Sequence, residues 1–130
     1  MAEVREFILQ LQAEAERTIA QIDQYQRALA LHAFTRIVQR TPVDTGRARL
    51  SWNPSRDTPD ETVPPPGQYS AAAALGKAGM LRPSPQRLTD IHISSNLVYI
   101  GVLEDGHSQQ APAGMVAVTY AELQSLGPKI

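Results

Sequence analysis

The segment from Glu104 to Ser108 carries the densest group of side chains that could do chemistry in this chain. Glu104 and Asp105 are followed closely by His107 and Ser108. An acid, a histidine base and a hydroxyl nucleophile are the residue types that nucleophilic hydrolysis requires. Adjacent side chains rarely face one another, however, and GHSQQ lacks the GxSxG pattern of a nucleophile elbow. A small hydrolase or metal-dependent enzyme built on these four residues is therefore our alternative hypothesis.

Glu104 also has a purely structural interpretation. It lies at the end of a short apolar stretch and beside a turn. There its carboxylate could accept backbone hydrogen bonds, or it could meet an arginine of a neighbouring chain. Either arrangement would make Glu104 part of the scaffold or of an interface.

Other patterns that carry chemistry are missing from the sequence. His32, His92 and His107 are far apart and show no metal-binding spacing, so we interpret each as a surface or hydrogen-bonded histidine. The chain has no cysteine, which excludes disulfides, thiolate ligands and a cysteine nucleophile. Gly76 and Gly79 have neither a Walker lysine nor a preceding strand. We therefore predict no catalytic residue, no cofactor and no metal site.

The charge of the chain disfavours a function based on binding DNA. The formal net charge is -1 at pH 7, so no global basic field attracts a nucleic acid. Arg47, Arg49 and Arg56 form a local basic cluster, but too few aromatic residues lie nearby for a stacking platform. A solvated strand face or an ion pair between subunits explains the cluster better. A DNA-binding regulator, which would require tight and salt-sensitive duplex binding, is the third hypothesis.

Length and composition predict one soluble globular domain. The chain has 130 residues, of which 42% are apolar and 19% are charged, enough for one modest core. No stretch approaches the roughly 20 apolar residues of a membrane span, and the start does not resemble a signal peptide. We expect no membrane partner and folding in a reducing cytoplasm.

The opening forty residues predict one long amphipathic helix. Residues 3–40 contain no Gly and no Pro, and apolar side chains recur at helical spacing, at Val4, Phe7, Ile8, Leu11, Ala15, Ile19, Ile22, Leu29, Ala33, Ile37 and Val38. A continuous helix of this length would measure ~55 Å, which exceeds the width of a small globule. We therefore expect the helix to bend, to break in the polar stretch 21–27, or to project with its apolar face covered by another subunit.

The rest of the chain predicts short elements around a proline-rich loop. In chain order we expect a turn at 42–46, a strand at 48–53, a mobile loop or arm at 54–68, a helix at 69–78 ended by Gly79, a strand at 88–95, a helix at 97–105 capped by Asn96 and ended by Gly106, and an amphipathic segment at 112–126. The last segment favours helix, although Val116, Val118 and Tyr120 would also suit a strand. Residues 69–126 supply the sheet and short helices. The predicted fold class is α+β, a single domain over 1–130 with the long helix packed on a small antiparallel sheet.

Three segments, in this order, resemble one known protein family. They are RTPVDTGRARLSW at 40–52, ISSNLVYIGVLEDGHS at 93–108 and QAPAGMVAVTYAEL at 110–123. Together they resemble the neck and tail-completion (head-tail joining) proteins of long-tailed bacteriophages, including the minor tail protein Z type. Agreement of several motifs in order is more specific than a lone motif. The chain departs from the pattern at Val98, where related sequences often have proline.

The resemblance implies a role in assembly and assigns no catalytic residue. The positions that match the family pattern, which we take as assembly or interface candidates, are Pro42, Asp44, Thr45, Gly46, Arg47, Arg49, Asn96, Tyr99, Glu104, Gly106, Gln110, Pro112 and Gly114. The implied protein is a virion subunit of the neck or head-proximal tail end, assembled in the host bacterial cytoplasm. Its implied partners are copies of itself in a ring, with six copies as the expectation, and the tail terminator and head-tail connector proteins. DNA would pass nearby without sequence-specific binding.

Overall fold

The computed structural model describes residues 2–43, 47–65, 67–84, 87–97, 99–106 and 110–126. Its elements, in chain order, are α1 (Ala2–Arg40), α2 (Arg47–Leu50), β1 (Asn53–Arg56), α3 (Tyr69–Met80), β2 (Ile91–Ser94), α4 (Ile100–Glu104) and α5 (Val116–Leu126). The two strands form one antiparallel sheet. The predicted α+β class, with a long first helix and a small antiparallel sheet, is confirmed.

Helix α1 is continuous, so the predicted break at 21–27 is wrong. The stretch contains neither Gly nor Pro, and its Gln and Arg residues are good helix formers. Its acid, Asp23, is buried and bonded to arginines, which makes the polar stretch the place where α1 enters the globule. The predicted end is confirmed: Pro42 cannot continue the ladder, and Thr41 makes the last backbone bonds, to Ile37 and Val38.

The strand predicted at 48–53 is wrong, because residues 47–50 form one helical turn. Ala48 and Trp52 are buried, whereas Leu50 between them is 43% exposed. Ser51 is also buried and donates its hydroxyl to the carbonyl of Ala48. Burial at i, i+3 and i+4 is the helical spacing, so the alternation of apolar residues in this short segment indicated the wrong period.

The sheet begins later than predicted and takes its first strand from the start of the proline-rich loop. In β1, Pro54 pairs with Ile93 of β2. Proline is tolerated there because each strand of a two-stranded sheet is an edge. Strand β2 lies inside the predicted strand at 88–95. The described remainder of the loop, 57–65, contains no helix or strand, and its mobility stays a prediction.

The predicted helices form with shifted ends. Helix α3 runs past Gly79 to Met80, so Gly79 does not end it. Helix α4 is shorter than predicted, and Asn96 does not cap it: Tyr99 holds the cap position, while the Asn96 amide donates to the carbonyls of Asp60 and Thr62. The left-handed conformation expected at Gly106 is confirmed, with φ 89°. The final segment is helix α5, and its strand alternative is wrong.

The core lies entirely on the C-terminal half of α1. Its buried side chains are Ala30, Phe34, Ile37, Trp52, Met80, Ala111 and Met115. Helix α1 contacts α2, α3 and α5 there, and the sheet reaches the core through Ile91 and Ile93 of β2. The globule therefore covers only one half of its longest helix.

Candidate assembly surface

The N-terminal half of α1 carries an apolar face that the other described residues leave exposed. Every side chain from Glu3 to Thr18 is exposed. We call Val4, Phe7, Ile8, Leu11 and Ala15 the N-terminal stripe, because their spacing places them on one side of the helix. Phe7 is 58% exposed and Leu11 53%. Soluble proteins seldom expose a contiguous apolar face of this kind unless another molecule covers it.

The polar residues around the stripe give this half of the helix an acidic character. Residues 3–18 include four glutamates, at positions 3, 6, 14 and 16, against two arginines, at positions 5 and 17. Arg17 donates to Glu14 at 2.8 Å, and both side chains are solvated. An exposed pair of this type contributes little to stability. The stripe is therefore bordered by excess negative charge.

We call the exposed segment 3–18 the free half of α1. A buried carboxylate anchors the helix just beyond it. Asp23 is 1% exposed and accepts hydrogen bonds from Arg27 Nε at 2.9 Å and from the Ser84 backbone N–H at 3.0 Å. Arg56 of β1 adds a longer contact of 3.4 Å. Burial raises the pKa of Asp23, but the Ser84 N–H and the two arginines outweigh it, so the pKa is lowered from its usual value. This ionised group ties α1 to the sheet.

Arg56 joins that anchor to the end of α3, a role that the sequence did not indicate. Its guanidinium donates to the carbonyls of Met80 at 2.8 Å and Arg82 at 2.6 Å, and it also bonds Thr89. The side chain is 16% exposed. The interpretation of Arg56 as part of a solvated basic face is therefore wrong. The sequence did offer a signal for another part of this anchor, because Asp23 and Arg27 have the spacing of a helical ion pair.

A second anchor joins α1 to α5 at the opposite end. Glu122 of α5 accepts hydrogen bonds from Arg40, from His32 at 2.6 Å and from Arg36 at 3.1 Å. Hydrogen bonds from Arg40, His32 and then Arg36, opposed by partial burial, lower the pKa of Glu122 to about 2. The hydrogen-bonded interpretation of His32 is confirmed. Both anchors belong to the C-terminal half of α1 or its border, and neither reaches the stripe.

The motif residues between positions 104 and 114 cap helix α5. The Glu104 carboxylate accepts the backbone N–H groups of Met115 at 2.7 Å, Val116 at 2.8 Å and Ala117 at 2.9 Å. These donors lack partners within the helix, and a negative charge suits the helix N-terminus. The backbone-bonding interpretation of Glu104 is thus confirmed. The same carboxylate has its oxygens directed at the helix.

Two glycines make this cap possible. Gly114 has φ 84°, and a Cβ there would lie 2.6 Å from the Glu104 carbonyl oxygen. Gly106 would place a Cβ 2.5 Å from the carbonyl oxygen of Pro112, whose own side chain is exposed. Larger residues would strain the turn at both places. Glu104, Gly106, Pro112 and Gly114 therefore form one structural unit.

The motif residues near position 42 close the C-terminal end of α1. Arg49 donates to the carbonyls of Thr41 at 2.7 Å and Gln39 at 3.0 Å, which satisfies groups that the helix leaves open. Pro42 is buried, and the side chain of Gln110 accepts the backbone N–H of Val43 at 3.1 Å. Arg49, Pro42 and Gln110 thus stabilise the fold where α1 ends.

The remaining candidate interface residues lie either on the surface or outside the described residues. Asp44, Thr45 and Gly46 lie outside the described residues, as do His107 and Ser108 of the alternative hypothesis. The backbone of Arg47 belongs to α2, but its side chain is outside the description. Asn96 holds the 57–65 loop, and Tyr99 precedes α4 and is 37% exposed. Most motif positions whose side chains are described therefore stabilise the fold, and the apolar surface lies elsewhere.

An open apolar groove lies along the C-terminal part of α1. Its lining comprises Phe34, Thr35, Val38, Gln39, Arg49, Leu50, Ser70, Ala73, Ala74 and Lys77, from α1, α2 and α3. We call it the α1–α3 groove. Its volume is about 320 Å³. The lining combines aliphatic and aromatic side chains with two bases, Arg49 and Lys77.

Comparisons with known proteins add no family to this geometry. No protein-family model matches the chain, and no curated protein or solved structure is significantly similar to it. Among the described residues, no group of three or more histidine and acidic side chains is placed to hold a metal ion. None of the described helices combines the length and apolar character needed to cross a membrane.

Proposed function

We propose that this chain is a structural subunit of the bacteriophage head-to-tail junction, a neck or tail-completion protein that assembles around the DNA path. The observation that carries the proposal is the exposed N-terminal stripe, since an apolar helix face outside the globule requires a protein partner. The three sequence segments that resemble this family support the identity of the assembly. The tail terminator and head-tail connector proteins are the proposed neighbours in the virion.

The anchoring of α1 supports a role in assembly. The Asp23 and Glu122 clusters fix the C-terminal part of the helix to the globule. The free half therefore leaves the globule in a defined direction, at about 1.5 Å per residue. A rigid apolar projection loses less conformational entropy on binding than a disordered segment would. Such a projection suits the joining of subunits.

The weak net charge also supports a subunit that surrounds DNA without gripping it. The formal net charge of the chain is -1. Affinity for duplex DNA grows with each phosphate that a protein neutralises. A conduit through which DNA must move gains from low affinity. We propose a closed ring of copies, because repeated contacts between unlike surfaces close into rings when the rotation permits.

The contacts of Glu104 favour a structural role for this residue, whereas His107 and Ser108 of the hydrolase alternative lie outside the described residues. Glu104, which that alternative places with Asp105, His107 and Ser108, accepts three backbone hydrogen bonds from the start of α5. Protonating or moving this carboxylate would weaken the hydrogen bonds that these backbone N–H groups donate to it. We therefore assign Glu104 a structural role, and the proposal names no catalytic residue.

Electron microscopy of the purified protein, alone and mixed with tail tubes of the phage that encodes it, tests the proposal. We expect rings, or added density at the head-proximal end of the tubes. A Leu11→Asp variant should lose this density, and an Ala13→Asp variant, altered on the opposite face of the same exposed helix, should keep it. Single copies that leave the tail tubes unchanged would contradict the proposal.

A further inference from the structure

We propose that the N-terminal stripe of one copy docks into the α1–α3 groove of the next copy. The proposal rests on the self-association proposed above and names the two surfaces that make it. No described part of the same chain covers the stripe, whose side chains are exposed. The groove is an open apolar concavity on the same molecule. One contact would shield both surfaces.

The groove is shaped to receive apolar side chains from a helix. Phe34 and Val38 of α1 and Ala73 and Ala74 of α3 contribute to its lining. The alanines are short, so a neighbouring helix can approach α3 closely. Leu50 also lines the groove and is 43% exposed. At about 320 Å³ the groove is at the low end of the sizes of ligand pockets, so it suits a few side chains such as those of Ile8 and Leu11.

A chain cannot fill its own groove with its own stripe. Both surfaces involve α1, which is continuous from Ala2 to Arg40. Leu11 and Val38 are 27 positions apart. At 1.5 Å per residue, their backbones are separated by about 40 Å along the helix axis. The occupant must therefore come from another molecule.

Charge complementarity identifies that molecule as a second copy. The groove lining includes two bases, Arg49 and Lys77, and no acid. The free half of α1 carries twice as many glutamates as arginines. Two stripes placed side by side would bring the excess acids together, whereas a stripe in the groove brings them towards the bases. Complementary charge of this kind favours one partner arrangement over another.

The proposed contact joins two different surfaces and therefore propagates. Each copy donates one helix and accepts one helix. Contacts between unlike surfaces generate a ring when the rotation closes and a filament when it does not. The proposed contact thus supplies the ring of the junction subunit without any symmetric two-fold interface.

Disulfide trapping tests the contact directly, because the chain contains no cysteine of its own. Single variants Ile8→Cys and Leu11→Cys are each mixed with the single variant Ala74→Cys and oxidised gently. All three positions are exposed, so the variants should fold. We expect a mixed disulfide dimer in about tenfold greater yield than from Ala13→Cys mixed with Ala74→Cys, since docking raises the effective thiol concentration to about the mM range. Ala13 lies on the helix face opposite Leu11.

The outcomes separate this contact from the broader function. If Leu11→Cys links to itself and does not link to Ala74→Cys, the groove is the wrong partner, while self-association stands. If no variant pair exceeds the Ala13→Cys control, the contact is overturned, and tail binding in the microscope still decides the function. If the mixed disulfide forms but tail tubes gain no density, the contact is right and the junction role is wrong. Lys77→Glu should also lower the mixed yield if the groove receives the acidic helix.

Discussion

The two halves of α1 share one helix and one spacing of apolar residues, yet they have opposite environments. Phe34 and Ile37 in the C-terminal half are buried among α2, α3 and α5, and polar anchors hold that half in place. Phe7 and Leu11 in the N-terminal half are more than half exposed. The comparison teaches that a helical apolar face demands a cover, while the sequence pattern alone does not say whether the cover belongs to the same chain.

The two phenylalanines of the chain should break the comparison most sharply. Phe34→Ala removes a buried ring from the core and should lower the free energy of unfolding by about 3 to 5 kcal/mol. Phe7→Ala, in the same helix, should lower that of the isolated chain by less than about 0.5 kcal/mol. Urea unfolding of both variants at low protein concentration measures the difference. Equal losses would mean that the N-terminal half is covered within one chain.

The acids of α1 provide a second matched pair. Asp23→Asn leaves Arg27 and Arg56 without their buried partner and should cost about 3 kcal/mol. Glu14→Gln removes a solvated pair with Arg17 and should cost less than about 0.5 kcal/mol. Thermal unfolding of the two variants compares them. A small effect for Asp23→Asn would show that this residue does not anchor α1.

Alanine substitutions at two glycines, one in the cap of α5 and one in α3, should change the stability in opposite directions. Gly114→Ala places a Cβ in a left-handed turn against Glu104 and should destabilise by about 1 to 3 kcal/mol. At Gly79, inside α3, an added Cβ meets nothing within 4 Å, so Gly79→Ala should stabilise by about 0.5 to 1 kcal/mol. The unfolding midpoints of the two variants, which should shift in opposite directions from the wild type, check this prediction. A stabilising Gly114→Ala would be inconsistent with the proposed cap.

The loss of stability at acidic pH should depend on the α1–α5 anchor. We expect this to be the smallest of the predicted effects. The pKa of Glu122 is about 2 in the folded chain, below its ordinary value of 4.5. A depressed carboxyl pKa stabilises the fold fully above the unfolded value, and this contribution is lost as the pH falls through the folded one. Glu122→Gln should therefore make the stability decline less steeply between pH 4.5 and about 2. Thermal unfolding across this pH range measures the slope. An unchanged slope would show that Glu122 does not supply this contribution.

The sequence predicted the elements whose signals are local. A stretch without Gly or Pro gave the long helix, and Pro42 gave its end. Gly106 indicated a left-handed turn correctly. The strand at 48–53 was wrong because three alternating apolar residues cannot distinguish a strand from a helical turn, and only the packing of Ala48 and Trp52 decides.

The contacts of the candidate residues could be predicted only in part. The hydrogen bonds of Glu104 to a helix start were among the interpretations that its position allowed, and they are the ones observed. The partners of Arg56 and Glu122 lie far away in sequence, so spacing could not reveal them. The role of Asn96 was also missed, since its amide bonds a loop and not a helix end. Tertiary contacts of this kind depend on the whole fold.

Sedimentation velocity of the wild-type chain and of Leu11→Asp, over a range of protein concentrations, tests the central claim most directly. The account predicts that the wild type sediments as a multiple of one chain. Leu11→Asp should sediment as a single chain with an unchanged intrinsic stability, because Leu11 is exposed in one copy. A wild-type protein that remains a single chain at every concentration would contradict the claim that other copies cover the N-terminal stripe.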